Sequence, residues 1–86
     1  MKEVKMFMFE GCPHCRKASE LMAEVCRANP EYAKVAVTKI DEKKDPDYAN
    51  RFDYYYVPTF FVGDEKLHEG VPSKEAIEKV YAAALA

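Results

Sequence analysis

Charge of one sign, cysteine and long apolar runs are all scarce in this chain, and each scarcity removes a class of protein. The 86 residues carry 13 Lys and Arg against 15 Asp and Glu, a net charge of −2. No basic stripe stands clear of compensating acids. The Lys43-Lys44 pair, flanked by Asp41, Glu42 and Asp45, reads as a solvated loop. Nucleic acid is therefore not an expected partner. No segment approaches the roughly 18–20 apolar residues that a membrane span needs, so no membrane partner is expected either. Three cysteines, one without an obvious mate, do not make the framework of a small secreted scaffold. The N-terminal Met1-Lys2-Glu3-Val4-Lys5 runs into an apolar stretch too short for a signal peptide and without a small-residue cleavage site. A reducing cytoplasm is the expected compartment.

What is present is a globular composition, 49% hydrophobic and 33% charged, with no repeat or low-complexity stretch. The length suits one small domain over residues 1–86, expected as a monomer. Residues 3–9 read as a strand apolar on both sides after Lys5, hence central. Residues 13–28 read as a helix, with Pro13 tolerated at its first position and Ala18, Leu21, Met22 and Val25 at helical spacing. Asn29-Pro30 stops it. Residues 34–40 alternate as a second strand, and Asp45-Pro46 reads as a cap opening a short helix to about Phe52. Pro58 to Val62 is a third strand, turned by Gly63-Asp64 into a fourth over Lys66 to Glu69. Ser73 caps a last helix whose Ile77, Val80, Tyr81, Ala84 and Leu85 recur on one face. The order β-α-β-α-β-β-α predicts an α/β fold. The opening βαβ unit implies a right-handed parallel pairing and the Gly63-Asp64 turn an antiparallel hairpin. The result is a mixed four-stranded sheet with helices on both faces.

Cys12-Pro13-His14-Cys15 sits where the first strand gives way to the first helix. A cysteine at a helix start meets unpaired N–H groups and the positive end of the helix dipole, both of which stabilise a thiolate. Its partner three residues on lies on the same face, close enough to close and reopen a disulfide. Cys12 is therefore expected to be the exposed nucleophile and Cys15, one turn in and partly covered, the resolving thiol. Half a zinc site is the plainer alternative. It lacks a second paired spacing, because His14, Cys26 and His68 are scattered.

A C-x-x-C on the first βα turn, an X-Pro-Thr opening the third strand and this element order resemble the thioredoxin–glutaredoxin superfamily over essentially the whole chain. Phe9-Glu10-Gly11-Cys12-Pro13-His14-Cys15 is similar to a glutaredoxin opening. Thr38-Lys39-Ile40-Asp41, Asp45-Pro46, Val57-Pro58-Thr59 and Gly70 followed by Ser73-Lys74 and Ile77 fall at thioredoxin-like spacing. The departures are specific. Glu69-Gly70-Val71-Pro72-Ser73 lacks the acidic residue with which glutaredoxins hold glutathione. Thioredoxins carry Trp before the motif and a buried Asp in the first strand; here Trp is absent and Met6 stands at the Asp position.

The resemblance implies a thioredoxin fold and a thiol–disulfide oxidoreductase acting on disulfide-containing proteins or glutathione mixed disulfides. No prosthetic group is implied. Glutathione is the first expected co-substrate and electron donor, and a flavoprotein disulfide reductase the second. A glutaredoxin-type iron–sulfur or metal carrier is an alternative reading, and a binding module without turnover another. The resemblance also implies a cis peptide bond at Val57-Pro58, which would set the backbone of Val57 beside Cys12 to pair with an extended substrate. Tyr56 and Gly70 are expected near that substrate.

Inside the motif, His14 is expected to stabilise the Cys12 thiolate. The same Pro-His dipeptide occurs in disulfide oxidases of the DsbA type, with a thiolate pKa near ~3.5 against ~7 in thioredoxin. Stabilising the thiolate stabilises the reduced form, and a potential of roughly −150 to −240 mV follows, above the ~−270 mV of thioredoxin. Of Tyr54-Tyr55-Tyr56, one is expected in the core and the others at the surface near the site. Cys26 is expected to be a buried, inert thiol, Met6 and Met8 core residues, and His68 is assigned no role.

Overall fold

Val4, Met6 and Phe7 have no exposed surface, because strand β1 (Val4–Met8) lies inside the sheet and is covered on both faces. The computed structural model describes residues 1–86. Strand β2 (Val37–Asp41) runs parallel to β1, pairing Val4 with Val37 and Met8 with Asp41. Strand β3 (Thr59–Val62) lies antiparallel on the other side, and β4 (Glu65–Glu69) closes a hairpin with it. The order across the sheet is β2-β1-β3-β4, the predicted mixed sheet of a thioredoxin fold.

On one face Val4, Met6, Phe60 and Val62 pack with Ala18, Leu21, Met22 and Val25 of helix α1 (Pro13–Ala28) and with Ile77, Val80, Tyr81 and Ala84 of helix α3 (Lys74–Leu85). On the other face Phe7, Ile40 and Phe61 pack with Ala49 of the short helix α2 (Pro46–Ala49). This second layer is aromatic. The ring of Phe7 lies 4.7 Å from that of Phe52 and 5.0 Å from that of Tyr54, in the offset range in which aromatic pairs attract.

Three boundaries differ from the sequence expectation. Residues 30–34 form a 3₁₀ turn rather than the approach to a strand. Proline fixes the first turn residue, the Tyr32 N–H donates to the Asn29 carbonyl at 3.0 Å, and the Tyr32 ring stacks on Tyr81. The strand therefore begins at Val37. Helix α2 stops at Ala49, after which Arg51 and Phe52 donate to the carbonyls three residues back and the chain tightens inward. Asp45 makes no side-chain cap, whereas Ser73 Oγ accepts the Ala76 N–H at 3.1 Å and caps α3 as expected.

Candidate active site

The loop from β1 to α1 turns at Gly11, whose φ of +89° is open to glycine and costly for other residues. Asp41, at the end of β2, fixes the loop. One oxygen accepts the Glu10 N–H at 3.1 Å, and the other accepts the N–H groups of Lys43 and Lys44. Desolvation pushes the Asp41 carboxyl up, but those N–H groups and the Lys44 ammonium outweigh it and hold it below the usual range. The Glu10–Lys44 ion pair above it is exposed on both sides and adds little.

Cys12 is the N-cap of α1. Its Sγ accepts the Cys15 N–H at 3.1 Å, and Pro13 occupies the first helical position. The two sulfurs are joined in a disulfide with the Cα atoms 5.2 Å apart. In this oxidised form Cys12 is 5% and Cys15 4% exposed, so the expected contrast in exposure is not what separates them. Position separates them: the sulfur of Cys12 sits at the helix end, where a free backbone N–H points at it.

Two shallow pockets flank the motif. One, about 310 Å³, is lined by His14, Tyr56, Val57, Gly70 and Val71, which brings together four of the residues singled out in the sequence. The other, about 230 Å³, runs along the far side of the disulfide past Glu10, Arg16 and Ser19. The Val57-Pro58 bond is cis. Val57 itself makes no backbone hydrogen bond within the chain, while Pro58 accepts the Gly70 N–H at 2.9 Å. Gly70 has φ +94°, and a Cβ there would meet Tyr56 only at 3.8 Å, so its conformation rather than crowding calls for glycine.

The three tyrosines divide. Tyr54 turns inward against Phe7 and donates its hydroxyl to Glu42 at 2.8 Å. Burial first, then the Glu42 carboxylate, push its phenol well above the ordinary value. Tyr55 and Tyr56 stand 88% and 70% exposed, and Tyr56 joins the pocket wall. Cys26 is half-buried rather than buried, and it has no second sulfur to pair with. Burial first, then the neighbouring Cys26, raise the Tyr81 phenol. No three His, Cys, Asp or Glu side chains gather as a metal site, and no helix is long and apolar enough to cross a membrane.

Two residues that sequence reasoning passed over organise this surface. His68 Nε2 lies 3.2 Å and 3.0 Å from the carbonyl oxygens of Gly70 and Val71, both acceptors, which makes that nitrogen the donor. Glu69 Oε2 accepts the N–H groups of both Tyr55 and Tyr56. Neither carries a sequence signal, because a charged or polar residue in a terminal hairpin reads as solvated surface.

Residues 2–82 match the thioredoxin domain family. A thioredoxin from Methanocaldococcus jannaschii is 32% identical over 79 residues, spanning 90% of this chain and 91% of that protein. A chain from a structure on the thiol resolving mechanism in yeast mitochondrial 1-Cys peroxiredoxin via glutathione/thioredoxin systems superposes with TM-score 0.72 at 26% identity, covering 95% of this chain and 77% of that one. The oxidised thioredoxin of Plasmodium falciparum shares the fold at TM-score 0.69 and 17% identity, over 96% and 80% of the two chains.

Proposed function

The chain belongs to the thioredoxin family and is a thiol–disulfide oxidoreductase, and from that premise we propose that it reduces disulfides in extended polypeptides, with Cys12 as nucleophile and Cys15 as resolving thiol. In the reduced protein the Cys12 thiolate attacks one sulfur of a substrate disulfide. A Cys12–substrate disulfide forms, and the other substrate sulfur leaves as a thiolate and takes a proton. Cys15 then gives up its proton, and its sulfur attacks Cys12 Sγ. The second substrate thiol is released, and the intramolecular disulfide closes with two electrons passed to the substrate.

The observation that carries this reading is the 3.1 Å hydrogen bond from the Cys15 N–H to Cys12 Sγ at the start of a 16-residue helix. A charged sulfur there gains a hydrogen bond and the helix dipole together. Polypeptide substrates are supported by the pocket beside the motif. Its lining contains no Lys, Arg, Asp or Glu, and the open N–H and C=O of Val57 suit an added strand. Glutathione carries two carboxylates and would find no Lys or Arg in that lining to pair with them. A flavoprotein disulfide reductase is accordingly our first electron donor, reversing the order expected from the sequence. Glutathione stands second, through Arg16 in the opposite pocket, where a carboxylate could sit beside the disulfide. The proposed setting is a reducing cytoplasm.

The test is turnover of a disulfide-bonded polypeptide with dithiothreitol as donor, then with a flavoprotein reductase and NADPH, then with glutathione. Activity in the first assay that vanishes in Cys12→Ser supports the mechanism, and none in the wild type would refute it. Comparison of the last two identifies the donor.

A further inference from the structure

The loop that carries Val57 is anchored on both sides of that residue, by side chains before it and by the Gly70 backbone after it. Before it, Glu69 Oε2 accepts the N–H groups of Tyr55 and Tyr56, the latter at 2.9 Å. The Tyr56 carbonyl accepts the Thr59 hydroxyl. After it, the Pro58 carbonyl accepts the Gly70 N–H at 2.9 Å. Val57 is thus the one residue between Tyr55 and Pro58 whose backbone is left without a partner. Glu69 is itself held. Lys66 Nζ donates to Glu69 Oε1 at 2.7 Å and to the Asp53 carbonyl at 3.1 Å, so the same lysine pins the start of the loop. Register makes this reach possible, because Glu69 pairs with Thr59 in the sheet and an irregularity between Phe60 and Phe61 shifts the hairpin.

We propose that Glu69, braced by Lys66, is a positioning residue that holds the Tyr55-Tyr56-Val57 segment in the shape that receives an extended polypeptide substrate. The proposal rests on the reading of the chain as a reductase of polypeptide disulfides. A carboxylate suits the task chemically. Two adjacent N–H groups and an ammonium need three acceptor positions in one plane, which ionised Glu supplies and a hydroxyl or a single amide oxygen does not. The Glu69 side chain is 20% exposed, with both carboxylate oxygens engaged by the loop and by Lys66. Without it, the two tyrosine N–H groups turn to solvent and Val57 loses its fixed orientation. A substrate must then order the loop as it binds, which weakens binding without changing the sulfur chemistry.

The experiment compares wild type, Glu69→Ala and Glu69→Gln on a disulfide-bonded peptide and on a small aromatic disulfide that contacts only the sulfur. The expected result is a KM for the peptide raised about three- to tenfold in Glu69→Ala, with kcat within about twofold. Glu69→Gln should fall between, and the small disulfide should be affected far less. In the same samples amide exchange at Tyr55 and Tyr56 should be slowed in the wild type and fast in Glu69→Ala. A folded Glu69→Ala with an unmoved peptide KM would overturn the proposal, as would equal loss on both disulfides. If Glu69→Ala does not fold, Glu69→Gln is read by the same criteria. Wild-type protein that reduces neither disulfide would overturn the underlying reductase reading instead.

Discussion

The backbone N–H of Cys15 points at the sulfur of Cys12 from 3.1 Å. This one contact distinguishes two thiols that are otherwise equally buried. The donor stabilises negative charge on Cys12 and offers nothing to Cys15. The pKa of Cys12 in the reduced protein is therefore expected to lie at least about one unit below the free-thiol value of ~8.5. Thiolate absorbance followed against pH checks it, and a value at 8.5 or above would remove the basis for an activated nucleophile. Cys12→Ser should abolish turnover, whereas Cys15→Ala should stall as a covalent mixed disulfide visible by mass spectrometry.

His14 lines the same pocket as Val57 and Val71, inside the motif and two residues past the helix cap at Cys12. An imidazole or imidazolium beside Cys12 favours the thiolate, and so the reduced protein. Replacing it by a neutral apolar side chain should therefore make the pair more reducing. For His14→Leu we expect the potential to fall by about 30 mV, equivalent to a tenfold change in the equilibrium with a glutathione buffer. An unchanged or raised potential would show the side chain to be a solvent-facing bystander.

The parts of this protein that follow a local rule were legible before the fold was known. Pro13 and Ser73 mark helix starts, apolar spacing fixes the buried faces of α1 and α3, and the C-x-x-C at a strand-to-helix turn identifies the chemistry. What local rules could not supply was tertiary bonding. Glu69 became the anchor of a loop 13 residues upstream only because β3 and β4 pair across the hairpin. The 3₁₀ turn at Pro30 exists because Tyr32 finds Tyr81, a partner from the other end of the chain. Asp45 looked like a cap, yet the Asp41 side chain four residues earlier holds the loop through three backbone N–H groups.

Phe7 is the keystone of the second layer. It is fully buried and its ring meets Tyr48, Phe52, Tyr54 and Phe61. Truncating it leaves a cavity bounded by the sheet on one side and by a four-residue helix on the other, which has little freedom to collapse into it. Phe7→Ala should cost about 3–5 kcal/mol, read as a lowered urea midpoint at unchanged slope. A loss below about 1 kcal/mol would mean that the aromatic layer collapses around the gap and that the packing described here is not rigid.

Acid should release the Glu69 anchor. The Lys66 ammonium first, then the Tyr55 and Tyr56 N–H groups, hold its carboxyl down at about 2 against an ordinary 4.5. A carboxyl lowered in the folded state contributes stability that is fully present above the unfolded value and is lost as the pH falls through the folded one. The window is therefore between about 4.5 and about 2. Asp41 is lowered as well, so its loop contacts weaken over the low-pH side of the same range. Chemical denaturation of wild type and Glu69→Gln across this range separates the two contributions. The wild type should be the more stable at pH 6, and the gap should close as the pH approaches 2. A gap that stays constant with pH would mean that the carboxylate charge contributes nothing and that only the side chain's shape holds the loop.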